Sequence, residues 1–84
     1  MDELQLERYL NELREIPFSE DTKGMLTAIY LLLDAEIKSL EAVLALMKHK
    51  EAFPNSEAYQ QETLESATQN VRLIKEFLKE SGRR

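Results

Sequence analysis

Apolar residues recur along this chain at helical spacing in three stretches, and the breaks between them fall where glycine and proline occur. In the first stretch Leu6, Tyr9, Leu10, Leu13 and Ile16 fall on one face of a helix, and Pro17 ends it because the residue before a proline is pushed out of the α region. The second stretch is the most regular. Leu26, Tyr30, Leu33, Ile37, Leu40, Leu44 and Met47 alternate steps of four and three, an unbroken heptad seam, while Asp34, Lys38, Glu41 and Lys48 fall off it. Ser19 offers an N-cap to this helix, with Glu20 and Asp21 in the first turn, where the helix dipole favours negative charge. The third stretch opens at the capping residues Asn55 and Ser56 and repeats the seam with Leu64, Ala67, Val71, Ile74 and Leu78. Gly82 supplies a stop, followed by a frayed Arg83-Arg84 tail.

These elements predict an all-α fold in one domain over residues 1–84: a short N-terminal helix (about 2–16) packed on a long antiparallel hairpin (about 20–50 and 56–80). The connection at 51–55 is too short for anything but an antiparallel pair. The two seams then match level by level: Leu44 with Leu64, Leu40 with Ala67, Ile37 with Val71, Leu33 with Ile74 and Tyr30 with Leu78. Helix one is expected to fold back on the first half of helix two, near Leu26, Ile29 and Leu33, with Gly24 allowing a close approach. On that arrangement nothing but the polar start of helix three (Gln60, Gln61, Glu62, Glu65) is left to cover the run Ala42 to Met47. Val43, Leu46 and Met47, joined by Phe53 and Tyr59 at the hairpin tip, are therefore the candidate partner-binding patch. The competing reading folds loop 51–55 over that run with Phe53 as its lid, and makes Tyr59 a staple of the turn.

Charge and composition narrow the function. The net charge of −5 is uneven, with ten acids against four bases in residues 1–41 and six against seven in 42–84. No basic stripe suited to a phosphate backbone is present, so nucleic acid is not an expected partner. The acid array is too sparse for a DNA mimic. Without cysteine there is no disulfide, thiolate metal site or thiol nucleophile, and one histidine cannot build a zinc site. No membrane span is expected, and the acidic start Met1-Asp2-Glu3-Leu4 is unlike a secretory signal, so the reading is cytoplasmic. His49 sits among Lys48, Lys50 and Glu51 at a helix end, where a solvated cation is favoured. Glu36, Glu41, Glu62 and Glu65 read as solvated carboxylates, and no Glu-x-x-His pair of a di-metal bundle exists. Two isolated glycines cannot make a phosphate-cradling loop. Neither a catalytic residue nor a metal or cofactor site is expected.

The stretch Ala58-Tyr59-Gln60-Gln61-Glu62-Thr63-Leu64-Glu65, together with a short leading helix before a long hairpin, resembles the small co-chaperones of type III secretion needle subunits. That resemblance covers about residues 26–80. It implies a cytosolic protein that pairs with a helical-repeat chaperone and helps keep the needle subunit monomeric until export, with the hairpin as docking element. The residues themselves indicate a module that binds another protein, either a hetero-partner or a second copy of itself. Two alternatives stay open: a small helical inhibitor whose acidic face engages a larger enzyme, and a structural homodimer.

Overall fold

A computed structural model describes residues 1–16 and 25–81. It contains three helices, α1 (Glu3–Arg14), α2 (Met25–Lys48) and α3 (Glu57–Ser81), and no strand among the described residues. The expectations for Pro17, Ser19, Glu20, Asp21, Gly24, Gly82, Arg83 and Arg84 fall outside the described residues.

α1 starts at a reciprocal cap. The Asp2 carboxylate accepts from the Gln5 backbone N–H at 2.8 Å, and the Gln5 side-chain oxygen accepts from the Asp2 N–H at 2.8 Å. Two donors that the first turn would leave unpaired are satisfied. The helix stops at Arg14, where Glu15 donates to Asn11 and Glu12 at 3.2 Å and Ile16 donates to Leu13 at 3.2 Å. The hairpin tip is closed by tight turns: Ala52 donates to the His49 carbonyl, Phe53 to Lys50, and Ser56 to Phe53. Ser56 then starts α3. Its hydroxyl donates to the Phe53 carbonyl at 2.8 Å and accepts from the Gln60 amide at 2.8 Å, while its carbonyl accepts from the Gln60 backbone N–H at 2.9 Å.

The core is built from all three helices: Leu6, Leu10 and Leu13 of α1, Leu33, Leu40 and Val43 of α2, and Ala67, Val71 and Ile74 of α3. The partly buried Ile37, Leu44, Met47, Leu64 and Leu78 pack around them. Both heptad seams thus face inward. The antiparallel register of α2 and α3 is seen directly where Asn70 donates to Glu36 at 3.1 Å, a contact one residue away from the Ile37–Val71 level on each helix.

α1 lies elsewhere than its apolar stripe alone suggested. Glu7 pairs with Lys48 at 2.8 Å and Arg14 with Glu41 at 3.3 Å, so α1 runs antiparallel to the second half of α2, its start at the hairpin tip. Only its end reaches back: Leu13 and Ile16 line one open hollow with Tyr30, Leu33 and Ile37. The expected seat over Leu26, Ile29 and Leu33 is corrected accordingly. With 12 residues against 24, α1 is about 18 Å long against about 36 Å and can cover half of α2. It covers the half where α3 is polar, because Leu6, Leu10 and Leu13 there exclude water from apolar side chains that Gln60, Gln61 and Glu62 cannot shield. On α3's side the Lys75 ammonium stands 5.6 Å from the centre of the Tyr9 ring. Burial, and secondarily the nearby Glu12 carboxylate, raise the Tyr9 phenol above its ordinary pKa and keep it neutral.

The cross-helix ion pairs are about half exposed. Hydrogen bonding to Glu7 raises the Lys48 pKa, and Asp34 does the same for Lys38 at 2.9 Å. Exposed pairs add little to stability and are screened by salt. Glu41→Ala is expected to shift the melting temperature by less than about 3 °C, as is raising the salt to about 1 M. A drop of 10 °C in either experiment would show that ion pairing, rather than the leucine stripe, seats α1.

Candidate docking surface

The five residues expected to form a patch at the hairpin tip divide. Phe53 and Tyr59 are half exposed, and Leu46 and Met47 are partly buried. Val43 is fully buried, and its assignment to an exposed patch is corrected: it lies in the core cluster with Leu40. Phe53 and Met47 do share a shallow hollow, with Pro54, Ser56 and Gln60 on one side and Asp2 and Glu3 of α1 on another. The start of α1 therefore borders the tip beside loop 51–55. Val43→Glu is accordingly expected to unfold the chain, whereas Leu46→Glu should leave helix content intact by circular dichroism. Equal melting temperatures for the two variants would contradict this burial pattern.

Three leucines stand exposed toward the other end of the hairpin. Leu31, Leu32 and Leu73 are 64%, 53% and 56% exposed, more than half of each side chain in water. Leu32 and Leu73 border a groove of about 400 Å³ between α2 and α3 that also takes in Ile29, Ile74 and Phe77, with Glu36 and Asn70 at its edge. Leu31 lies on the opposite flank of α2, in the open hollow beyond the end of α1. These residues are uncovered because α1 is occupied near the tip.

A sequence signal for this surface exists beside the one used above. Ala28, Leu32, Ala35, Ser39, Ala42 and Leu46 also alternate steps of four and three, a second heptad seam on α2. Ala28, Leu32, Ala35 and Ala42 are exposed, and Ser39 and Leu46 partly so. No charged residue lies on this line from residue 28 to 46, a length of about 27 Å. The solvated face of α2 is instead confined to Asp34, Lys38, Glu41 and Lys48, on the flank nearer α1.

His49 is exposed in the turn after α2. Among the described residues no group of three or more His, Cys, Asp or Glu side chains is placed to hold a metal ion. No helix among them is long and apolar enough to cross a membrane. No known protein family, characterised protein or solved structure matches the chain.

Proposed function

We propose that this chain is a non-enzymatic protein-interaction module that engages its partner through the α2–α3 face carrying Leu32 and Leu73. The observation that carries the reading is the exposure of those two leucines on one inter-helix groove, beside an uncharged helical seam on α2. Water-exposed apolar groups gathered on one face lower the free energy of a complex that buries them, whereas scattered ones do not. The partner most suited to a groove between two helices is a third helix presenting apolar residues at i, i+3 and i+4.

The specific form of this proposal is a cytosolic co-chaperone of the type III secretion kind, which rests on the Tyr59-Gln60-Gln61 opening of α3 and on the long hairpin. In that role the apolar face would hold an aggregation-prone helical protein together with a larger chaperone. The regulator alternative has less behind it, since the acids Glu41 and Asp34 are engaged by Arg14 and Lys38 within the chain.

The test is co-purification from the native host with the tagged chain and with a Leu32→Glu, Leu73→Glu double variant. Both positions are more than half exposed, so the variant should keep its helical circular dichroism and melting temperature while losing the captured protein. A folded double variant that retains the same protein in the same amount would refute the assignment of this face.

A further inference from the structure

Resting on the reading of this face as an interaction surface, we infer that its occupant is a second copy of the same chain, packed antiparallel through the outer seam of α2. The inference comes from the order of sizes along that seam. Ala28, Leu32, Ala35, Ser39, Ala42 and Leu46 form a sequence that is complementary to itself when reversed. A two-fold axis midway between Ala35 and Ser39 sets Ala28 against Leu46 of the partner subunit, Leu32 against Ala42 of the partner subunit, and Ala35 against Ser39 of the partner subunit. Each leucine meets an alanine, and the centre pairs two small side chains. Alternating large and small residues across facing positions is what close helix packing requires, and an isologous contact demands that one surface supply both. An unrelated partner would impose no such self-complementarity.

Three features make the seam fit to be buried. Its one polar side chain, Ser39, already donates to the Ala35 carbonyl at 3.2 Å, so covering it strands no hydroxyl. The two charges that flank its centre are held within their own subunit, Lys38 by Asp34 at 2.9 Å and Glu36 by Asn70 at 3.1 Å. Each can therefore border the contact without seeking a partner across it. Finally, the groove lined by Ile29, Leu32, Leu73 and Phe77 opens beside the seam, so a helix lying on α2 also meets α3. Two hairpins then form a four-helix bundle in which α3 of each subunit flanks α2 of the other.

The surface available is of the size needed. The chain exposes 6323 Å², about 1,100 Å² above the roughly 5,200 Å² expected of a compact monomer of 9.8 kDa. A standard stable interface removes about 800 Å² from each partner. The body measures 48 × 19 × 17 Å, and a partner laid along its long axis covers the most surface.

Sedimentation equilibrium on the full chain decides the point, with Ala35→Glu as the variant. Ala35 is exposed in the single chain, so the substitution leaves its core untouched. The wild-type chain should sediment at twice 9.8 kDa at micromolar concentration, and Ala35→Glu should raise the dissociation constant at least about 100-fold with unchanged helix content. Because the native chain has no cysteine, register can be read separately. Ala35→Cys with Ser39→Cys in one chain should oxidise to a covalent dimer at least ten times faster than either single variant, since those two positions face each other across the axis. A wild-type chain that stays monomeric at 100 μM overturns the inference, as does a dimer whose mass Ala35→Glu leaves unchanged. Should the chain be monomeric while Leu32→Glu, Leu73→Glu still abolishes capture of another protein, the self-pairing fails and the broader reading of this face survives.

Discussion

Leu40→Asp is expected to abolish the cooperative fold. Leu40 is fully buried in the core cluster that also holds Leu13 of α1 and Ala67 and Val71 of α3. No buried polar or charged side chain among the described residues shares that cluster to receive a carboxylate. An uncompensated buried charge costs several kcal/mol, and the lost leucine contacts add about 2–5 kcal/mol more. A chain of 84 residues commands roughly 4–13 kcal/mol in all. The expected measurement is loss of the sigmoidal thermal transition and of most helical ellipticity at 25 °C. A cooperative melt within a few degrees of wild type would mean that Leu40 does not lie between the helices.

Removing residues 1–16 is expected to have an effect of the same order, and it separates two pictures of α1. If α1 were a detachable arm, the hairpin would survive without it. In the structure Leu6, Leu10 and Leu13 are each essentially fully buried and share one core cluster with Leu40 and Val43. Their loss would open this apolar half of α2 to water, opposite the polar first turns of α3. The truncated chain should aggregate or bind a hydrophobic dye while retaining only partial helix content. Leu10→Ala is the milder companion, expected to cost about 2–5 kcal/mol and to lower the melting temperature by roughly 10–30 °C. A truncated chain melting cooperatively at the wild-type temperature would show α1 to be dispensable.

Both expectations depend on a placement that the periodicity of α1 could not supply. Its stripe of Leu6, Leu10 and Leu13 specifies which face turns inward and leaves open which stretch of α2 receives it. The hydrophobic effect is proportional to area and has no direction, so any uncovered apolar stretch was a candidate. α2 offered two, because its first half is apolar on several faces and its second half carries Leu40, Val43, Leu44, Leu46 and Met47. A turn immediately after Pro17 would place α1 on the first half. The ion pairs of Glu7 and Arg14 with Lys48 and Glu41 place it on the second. With α1 there, Leu31, Leu32 and Leu73 stand uncovered at the other end, while Val43 is buried and Phe53 and Tyr59 stay half exposed at the tip.

What the sequence determined by itself is therefore the set of elements and the hairpin. Three helices follow from apolar spacing, and the register of α2 on α3 follows from two stripes that coincide when a short loop joins them; Glu36 meets Asn70 where that register requires. The cap formed by Asp2 and Gln5 and the second seam from Ala28 to Leu46 also rest on local spacing, though neither was among the elements expected from the apolar pattern. Only the tertiary structure decided which of α2's apolar faces is spent on the core. A helix that is apolar on more than one face carries more burial than its own chain can satisfy. The choice among those faces is made by competition for a single short helix, and it depends on what α3 offers at each level: Gln60 and Glu62 near the tip, Val71 and Ile74 farther along. α1 goes where its neighbour is polar, and the face left over is the one available to a partner.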